Sequence, residues 1–238
     1  MRSTAKANDD RSPDEGGDSA ATLRRAAKIT AIMGIVHGIL LILAFVLVSQ
    51  YGPGTDVGST QYTDFYSSDH RQRMVLIAGI YLIPFAGIAF LWFSMGLRVW
   101  LQGRLSRIDE LFLNIGFASG IIYVALLFCA GAALSLVAME ESDGSTSLLS
   151  ASFVRYGSSL FLIFALRMAA MVVFSTSRLA KDRGVFPSWF VYAGFPVGLV
   201  LLLTATVTPV LVVVFPVWLG TLAILLLQRV KSGESQLE

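Results

Sequence analysis

Apolar residues fall along this chain in six long runs, and the polar residues are swept into the gaps between them. The runs cover about 29–49, 74–97, 111–138, 154–176, 189–206 and 210–227. At ~1.5 Å of rise per residue, about twenty helical residues cross a ~30 Å hydrocarbon core. None of the runs alternates with the period of a half-buried strand. The pattern therefore predicts an all-α fold, a polytopic membrane bundle of six transmembrane helices occupying 23–228.

The gaps have characters of their own. Residues 1–22 are polar, mixed in charge and carry Pro13 and the Gly16-Gly17 pair, so a disordered cytoplasmic tail is expected there. The apolar run that follows is too long for a secretory signal and ends on no small-x-small cleavage site. The loop Gln50–Arg73 opens on Tyr-Gly-Pro-Gly, a turn signal. Its second part, YTDFYSSDHRQR, is expected to form an interfacial helix capped by Thr63, with its aromatics at headgroup level. Pro84, near the centre of the second run, predicts a bend. A basic stretch, Ser177–Gly184, precedes the fifth run, a Thr206-Val-Thr-Pro209 turn separates the fifth from the sixth, and 229–238 is a short polar tail.

Charge sorts by side. With the N-terminus cytoplasmic, fourteen of the eighteen lysines and arginines fall inside, and only Arg71, Arg73 and Arg155 outside. Leaving out Arg2, Lys6 and Arg11, far from any span, eleven stand against three. The asymmetry predicts both termini in the cytoplasm. The eighteenth, Arg167, sits near the middle of the fourth run, where an arginine costs about 2.5–3.5 kcal/mol on insertion scales. It is about nine residues, or ~13 Å, from the end of its run at Thr176, beyond the reach of its side chain without local thinning of the bilayer. Whatever packs around it has to provide acceptors or water.

The chemistry that could make an enzyme is sparse. Two histidines cannot build an HExxH helix or a three-histidine metal site, so no metal is expected. There is no Gly-x-Ser-x-Gly elbow and no phosphate-cradling loop, the connections are too short for a catalytic domain, and no cofactor or catalytic residue is assigned. No carboxylate lies inside a span, which weighs against proton- or sodium-coupled transport; broken helices that bind ions through backbone keep it open. The acidic loop Glu140-Glu141-Ser-Asp143 has few fixed ligands for calcium and is expected to be solvated. Cys129 is alone, so no intramolecular disulfide forms.

Two constellations remain. His37, Tyr123 and Arg167 lie at similar depth on the first, third and fourth spans. They form either a polar pocket for an anionic or acceptor-rich ligand or a hydrogen-bonded cluster that ties helices together. The second carries more weight, because buried polar groups need partners whatever they do. In either case the acceptors for Arg167 must be neutral: the Tyr123 hydroxyl, His37, a serine, free carbonyls or water. Three Gly-xxx-Gly pairs, Gly34 and Gly38, Gly116 and Gly120, and Gly194 and Gly198, are expected to let helices of the bundle approach closely, with a dimer interface as the alternative.

FALRMAAMVVFSTSRLAKDRGVFPSWFVYAGFPVGLVLLL resembles the second half of a group of uncharacterised bacterial, chiefly actinobacterial, six-helix membrane proteins. Those carry an Arg-Thr-Gly-x-x-Pro-x-Trp loop between their fourth and fifth spans. Here the loop is Asp182-Arg-Gly-Val-Phe-Pro187-Ser-Trp189, without the threonine. YSSDHRQRMVLIAGIYLIPFAGIAFLWF is similar to their approach to the second span. The resemblance implies a multipass protein of the bacterial plasma (inner) membrane and brings no activity with it. From the residues, two functions stay open: a non-enzymatic membrane subunit or regulator, and a small transporter or binder of a lipophilic or anionic molecule at the midplane. The expected partners are the lipid bilayer and a membrane protein or second copy of the chain, and no nucleic acid.

Overall fold

The computed structural model describes residues 13–53, 60–101, 106–139, 147–184, 186–203 and 211–234. Every regular element among them is helical. We label them α1 (Pro13–Tyr51), α2 (Thr60–Tyr66), α3 (Asp69–Leu101), α4 (Arg107–Met139), α5 (147–183), α6 (Ser188–Leu203) and α7 (Leu211–Glu234).

Five segments are long and apolar enough to cross a membrane: Arg25–Tyr51, Asp69–Leu101, Arg107–Met139, Ser152–Asp182 and Leu211–Arg229. The run expected to make a sixth is α6, of 16 residues. At ~1.5 Å per residue that is about 24 Å, short of a ~30 Å core. Gly194, Pro196 and Gly198 weaken this helix from within, and 204–206, the rest of the expected span, lie outside the described residues. Outward faces of the long helices are apolar: Ile39, Phe85 and Trp92 are 59, 57 and 64% exposed. A row of exposed large apolar side chains suits hydrocarbon and not water.

The disordered tail expected over 1–22 overlaps α1, whose described part runs from Pro13. The Ala-, Leu- and Arg-rich run there favours a helix that continues into the apolar segment. Residues 1–12 lie outside the described part, as do the acidic loop 140–143 and the final four residues. Thr63 does not cap a helix leading into α3: it lies inside α2, and Ser68, with extended φ −127° and ψ 103°, is the N-cap residue of α3. Nor does α2 lie free at the interface. Its Phe65 is fully buried against Val75, Val137, Ala138 and Val154, closing one end of the bundle.

Two helices are interrupted by π turns. In α3 the turn is Ala78–Leu82, where the Ile83 N–H bonds the Ala78 carbonyl, and Pro84 follows one residue after it. Proline lacks an N–H and clashes with the carbonyl four residues back, and one wide turn accommodates both defects without breaking the helix. In α5 the turn is Leu160–Ala165, with no proline near it. Gly184 ends α5 with φ 59°, a left-handed conformation that glycine adopts freely.

The six long helices close a ring. α1 packs on α3 and α7, α3 on α4, α4 on α5, α5 on α6, and α6 meets α7 more lightly. The ring is filled along its axis by aromatic side chains. Phe186, Phe190, Trp218 and Phe215 follow one another at centroid distances of 5.9, 5.4 and 6.5 Å. Phe215 then meets Tyr123 at 5.2 Å and Phe90 at 5.9 Å.

Candidate functional site

At the end of that aromatic column lies a buried polar pair, His37 and Tyr123. The face of α1 carrying Thr30, His37, Leu41 and Ala44 turns inward, each residue no more than 3% exposed. This puts the His37 ring between α3 and α4. Its Nδ1 stands 2.8 Å from the carbonyl oxygen of Ala86, and its Nε2 3.2 Å from the Tyr123 hydroxyl. A carbonyl only accepts, so Nδ1 carries the proton and donates it. In the neutral ring Nε2 is then the acceptor for the Tyr123 O–H. Phe90, Tyr123 and Phe215 surround the imidazole, with ring centroids at 5.0, 5.8 and 6.2 Å. Both polar side chains are fully buried, each polar atom has a partner, and three helices are tied at one point. Such a pair fixes geometry and leaves no group free to engage a ligand.

Arg167 is elsewhere. It is the central residue of the Ser152–Asp182 segment and is half-buried. Among the described residues no hydrogen bond, ion pair or ring contact joins it to His37, Tyr123 or any other side chain, so the acceptors expected from two neighbouring helices are not found there. α5 and α6 run antiparallel, with Ser177 against Gly194 and Phe174 against Gly198. Arg167 is on the same stripe of α5 as Phe174, two turns nearer the start of the helix. Carrying the register along by those two turns brings Arg167 level with Leu203, the last described residue of α6.

All six glycines of the Gly-xxx-Gly pairs face other helices. A Cβ added at Gly34 would meet Phe93 at 2.8 Å, at Gly116 the Ser175 side chain at 2.9 Å, at Gly120 the Phe90 ring at 3.1 Å and at Gly198 the Phe174 ring at 3.0 Å. At Gly194 it would collide with the Ser177 hydroxyl. Gly38 has ordinary room, 3.5 Å from the Pro216 carbonyl. Two backbones also approach closely at another pair. A Cβ at Gly79 would lie 2.8 Å from the Gly131 carbonyl oxygen, and one at Gly131 would lie 2.9 Å from that of Gly79. No Gly-xxx-Gly spacing marks either residue, and Gly79 lies inside the first π turn.

Ser177 Oγ and Trp218 Nε1 are buried without a partner among the described residues. Several other serines and threonines return their protons to the carbonyl four residues back, as Ser135 does to Gly131 and Thr221 to Val217, both at 2.8 Å. On the rim of the bundle, Arg98 donates to Asn114 Oδ1 at 3.1 Å and lies 4.9 Å over the Phe117 ring, and Arg178 pairs with Asp182. A cleft beside Arg98, lined by Ser94, Ser175 and Thr176, has about 30 Å³, room for a water molecule and not for a substrate. His37, Tyr123 and Arg167 line neither this cleft nor the crevice between α1 and α5 described below. Among the described residues no group of three His, Cys, Asp or Glu stands close enough to hold a metal ion. No protein-family model, no curated protein and no solved structure matches the chain.

Proposed function

We propose that this chain is a non-enzymatic multipass membrane protein, a subunit or regulator that works through its helix surfaces rather than through a pocket at the midplane. The observation that carries this reading is the filled axis of the bundle. His37 and Tyr123, the polar residues best placed to receive a ligand, are spent on each other and on Ala86 inside a jacket of phenylalanines. A carrier with alternating access needs a polar vestibule at that depth.

The reading is tested by Arg167→Met, which keeps length and removes charge. Loss of the charge relieves an insertion penalty of about 2.5–3.5 kcal/mol. The variant should therefore insert and melt at or above the parent's temperature, and should complement a deletion of the gene. A variant that is stable yet fails to complement would favour the second reading, a binder of an anionic or acceptor-rich lipophile. What favours that reading is the half-buried guanidinium without a partner among the described residues.

The proposal includes six crossings with both termini cytoplasmic, in a bacterial plasma membrane. The lysine and arginine asymmetry and the resemblance of the loop at Asp182–Trp189 support it. Reporter fusions at Gly58 and Gly144 should behave as exported and those at Gly103 and Gly184 as retained. A fusion at Gly184 reporting as exported would overturn the topology, and the failure of α6 to cross would shift only the C-terminal tail.

A further inference from the structure

α1 and α5 both line the half of the bundle distant from Gly184, but they do not pack on one another; α3 and α4 stand between them on one side of the ring. The gap between them is a crevice. Leu41, Ala44 and Val48 form its α1 wall, Phe161 and Leu162 its α5 wall, and Ile83 and Ala130 contribute from α3 and α4. Its volume is about 90 Å³. From Leu41 to Val48 it runs for about 10 Å along the helix axis.

Both π turns border this crevice. Ile83 directly follows the turn in α3, and Phe161 and Leu162 belong to the turn in α5. The first has a local cause in Pro84. The second has none in its sequence, Leu-Phe-Leu-Ile-Phe-Ala, and π turns inside α-helices are frequent at functional positions. Its effect is to set Phe161 and Leu162 as a wall where an unbroken α-helix would present a different face. The one polar side chain of the lining is Ser158. Its neighbour Ser159 returns its hydroxyl to the Arg155 carbonyl at 2.8 Å, whereas Ser158 has no partner among the described residues.

We propose that the crevice holds one unbranched acyl chain of a bilayer lipid, with the Ser158 hydroxyl donating to the ester carbonyl of that chain. The occupant follows from the lining. There is no charge to receive an ion or a headgroup, and an apolar cavity of this kind stays dry and takes hydrocarbon. Spread over about 10 Å of length, about 90 Å³ is a narrow slot, shaped for a single file of methylenes rather than for a ring or a methyl-branched chain. The walls belong to apolar segments at membrane depth, so the molecules that reach the opening are those dissolved in the bilayer. Ser158 stands six residues, or about 9 Å, from the start of its membrane segment at Ser152, on the headgroup side of Phe161 and Leu162. An ester carbonyl at its level would leave the methylenes to run inward past the two π turns.

The test uses the full chain reconstituted in phosphatidylglycerol vesicles containing a small fraction of lipid with a mid-chain diazirine on an unbranched acyl chain. After photolysis, the peptide containing Phe161 and Leu162 should be labelled in excess over the lipid-exposed peptide containing Trp92. Excess unlabelled straight-chain lipid should remove that difference, and methyl-branched phytanoyl lipid should not. Ser158→Phe, which puts a ring into the crevice from its half-buried edge, should remove it too, with Trp92 labelling unchanged. Should Ser158→Phe fail to fold, judged by gel filtration, the competition between straight and branched lipid decides. Equal labelling of both peptides, equal competition by both lipids, or an undiminished excess in folded Ser158→Phe would each overturn the proposal and leave ordinary annular lipid. A cross-link from Phe161 to a second copy of the chain would overturn it in favour of a protein neighbour.

Discussion

Replacing Tyr123 by alanine should destabilise the bundle by about 3–5 kcal/mol, the range for deleting a large buried aromatic side chain. The expectation rests on where the ring sits. It is fully buried and touches His37, Phe90 and Phe215, which belong to three different helices. Removing it opens a void that those helices cannot all close at once. Tyr123→Phe keeps the ring and loses only the hydrogen bond to His37 Nε2, and interhelical bonds in membrane proteins average about 0.6 kcal/mol. Thermal or steric-trap unfolding in mixed micelles should therefore separate the two variants clearly. Similar losses for both would mean that the hydrogen bond, and not the packing, holds the centre together.

The second large effect is expected where α3 crosses α4. At Gly79 and Gly131 each missing Cβ would point at the other residue's carbonyl oxygen. A backbone oxygen cannot rotate away as a side chain can, so the helices have to separate. Gly131→Ala should cost about 1–3 kcal/mol, the usual range for overpacking, and Gly131→Leu more. Gly38→Ala is the contrast. Its new methyl would find the Pro216 carbonyl at ordinary van der Waals distance and should change stability by a few tenths of a kcal/mol at most. The measurement is the melting temperature of the three purified variants. A Gly131→Ala protein as stable as its parent would mean that α3 and α4 are not pressed together there.

These two sites show what was legible in the amino-acid sequence. The periodic runs reveal helices, and their length reveals a membrane, because both follow from local hydropathy. Gly34, Gly116, Gly120, Gly194 and Gly198 are readable as close contacts from their four-residue spacing, which repeats on one helix face. Gly79 is not readable that way. A π turn shifts the residues beyond it to a different face, and nothing in Ala-Gly-Ile-Tyr-Leu announces the turn except Pro84 just after it.

The polar constellation divides in the same way. Depth along each span places His37 and Tyr123 at a common level, and the fold joins them at 3.2 Å. Depth is silent about azimuth, so the same argument grouped Arg167 with them although it lies on the stripe of α5 that faces α6. Helix order around the ring, α1–α3–α4–α5–α6–α7, separates α1 from α5 and with them the histidine from the arginine. That order is a tertiary fact, unavailable to any periodicity.

A dry, filled midplane is the centre of this account, and thiol accessibility tests it most directly. In a Cys129→Ala background, single cysteines would be placed at Ala86, which is fully buried beside His37, and at Ser119, 8% exposed on α4. Ser106→Cys, at an exposed end of α4, is the positive control. A membrane-impermeant thiol reagent should modify position 106 readily when applied from the side on which that end of α4 lies, and applied from either side should leave 86 and 119 untouched over the same interval. Modification of 86 or 119 at a rate near that of 106 would reveal a water-filled path to the centre of the bundle and contradict the account.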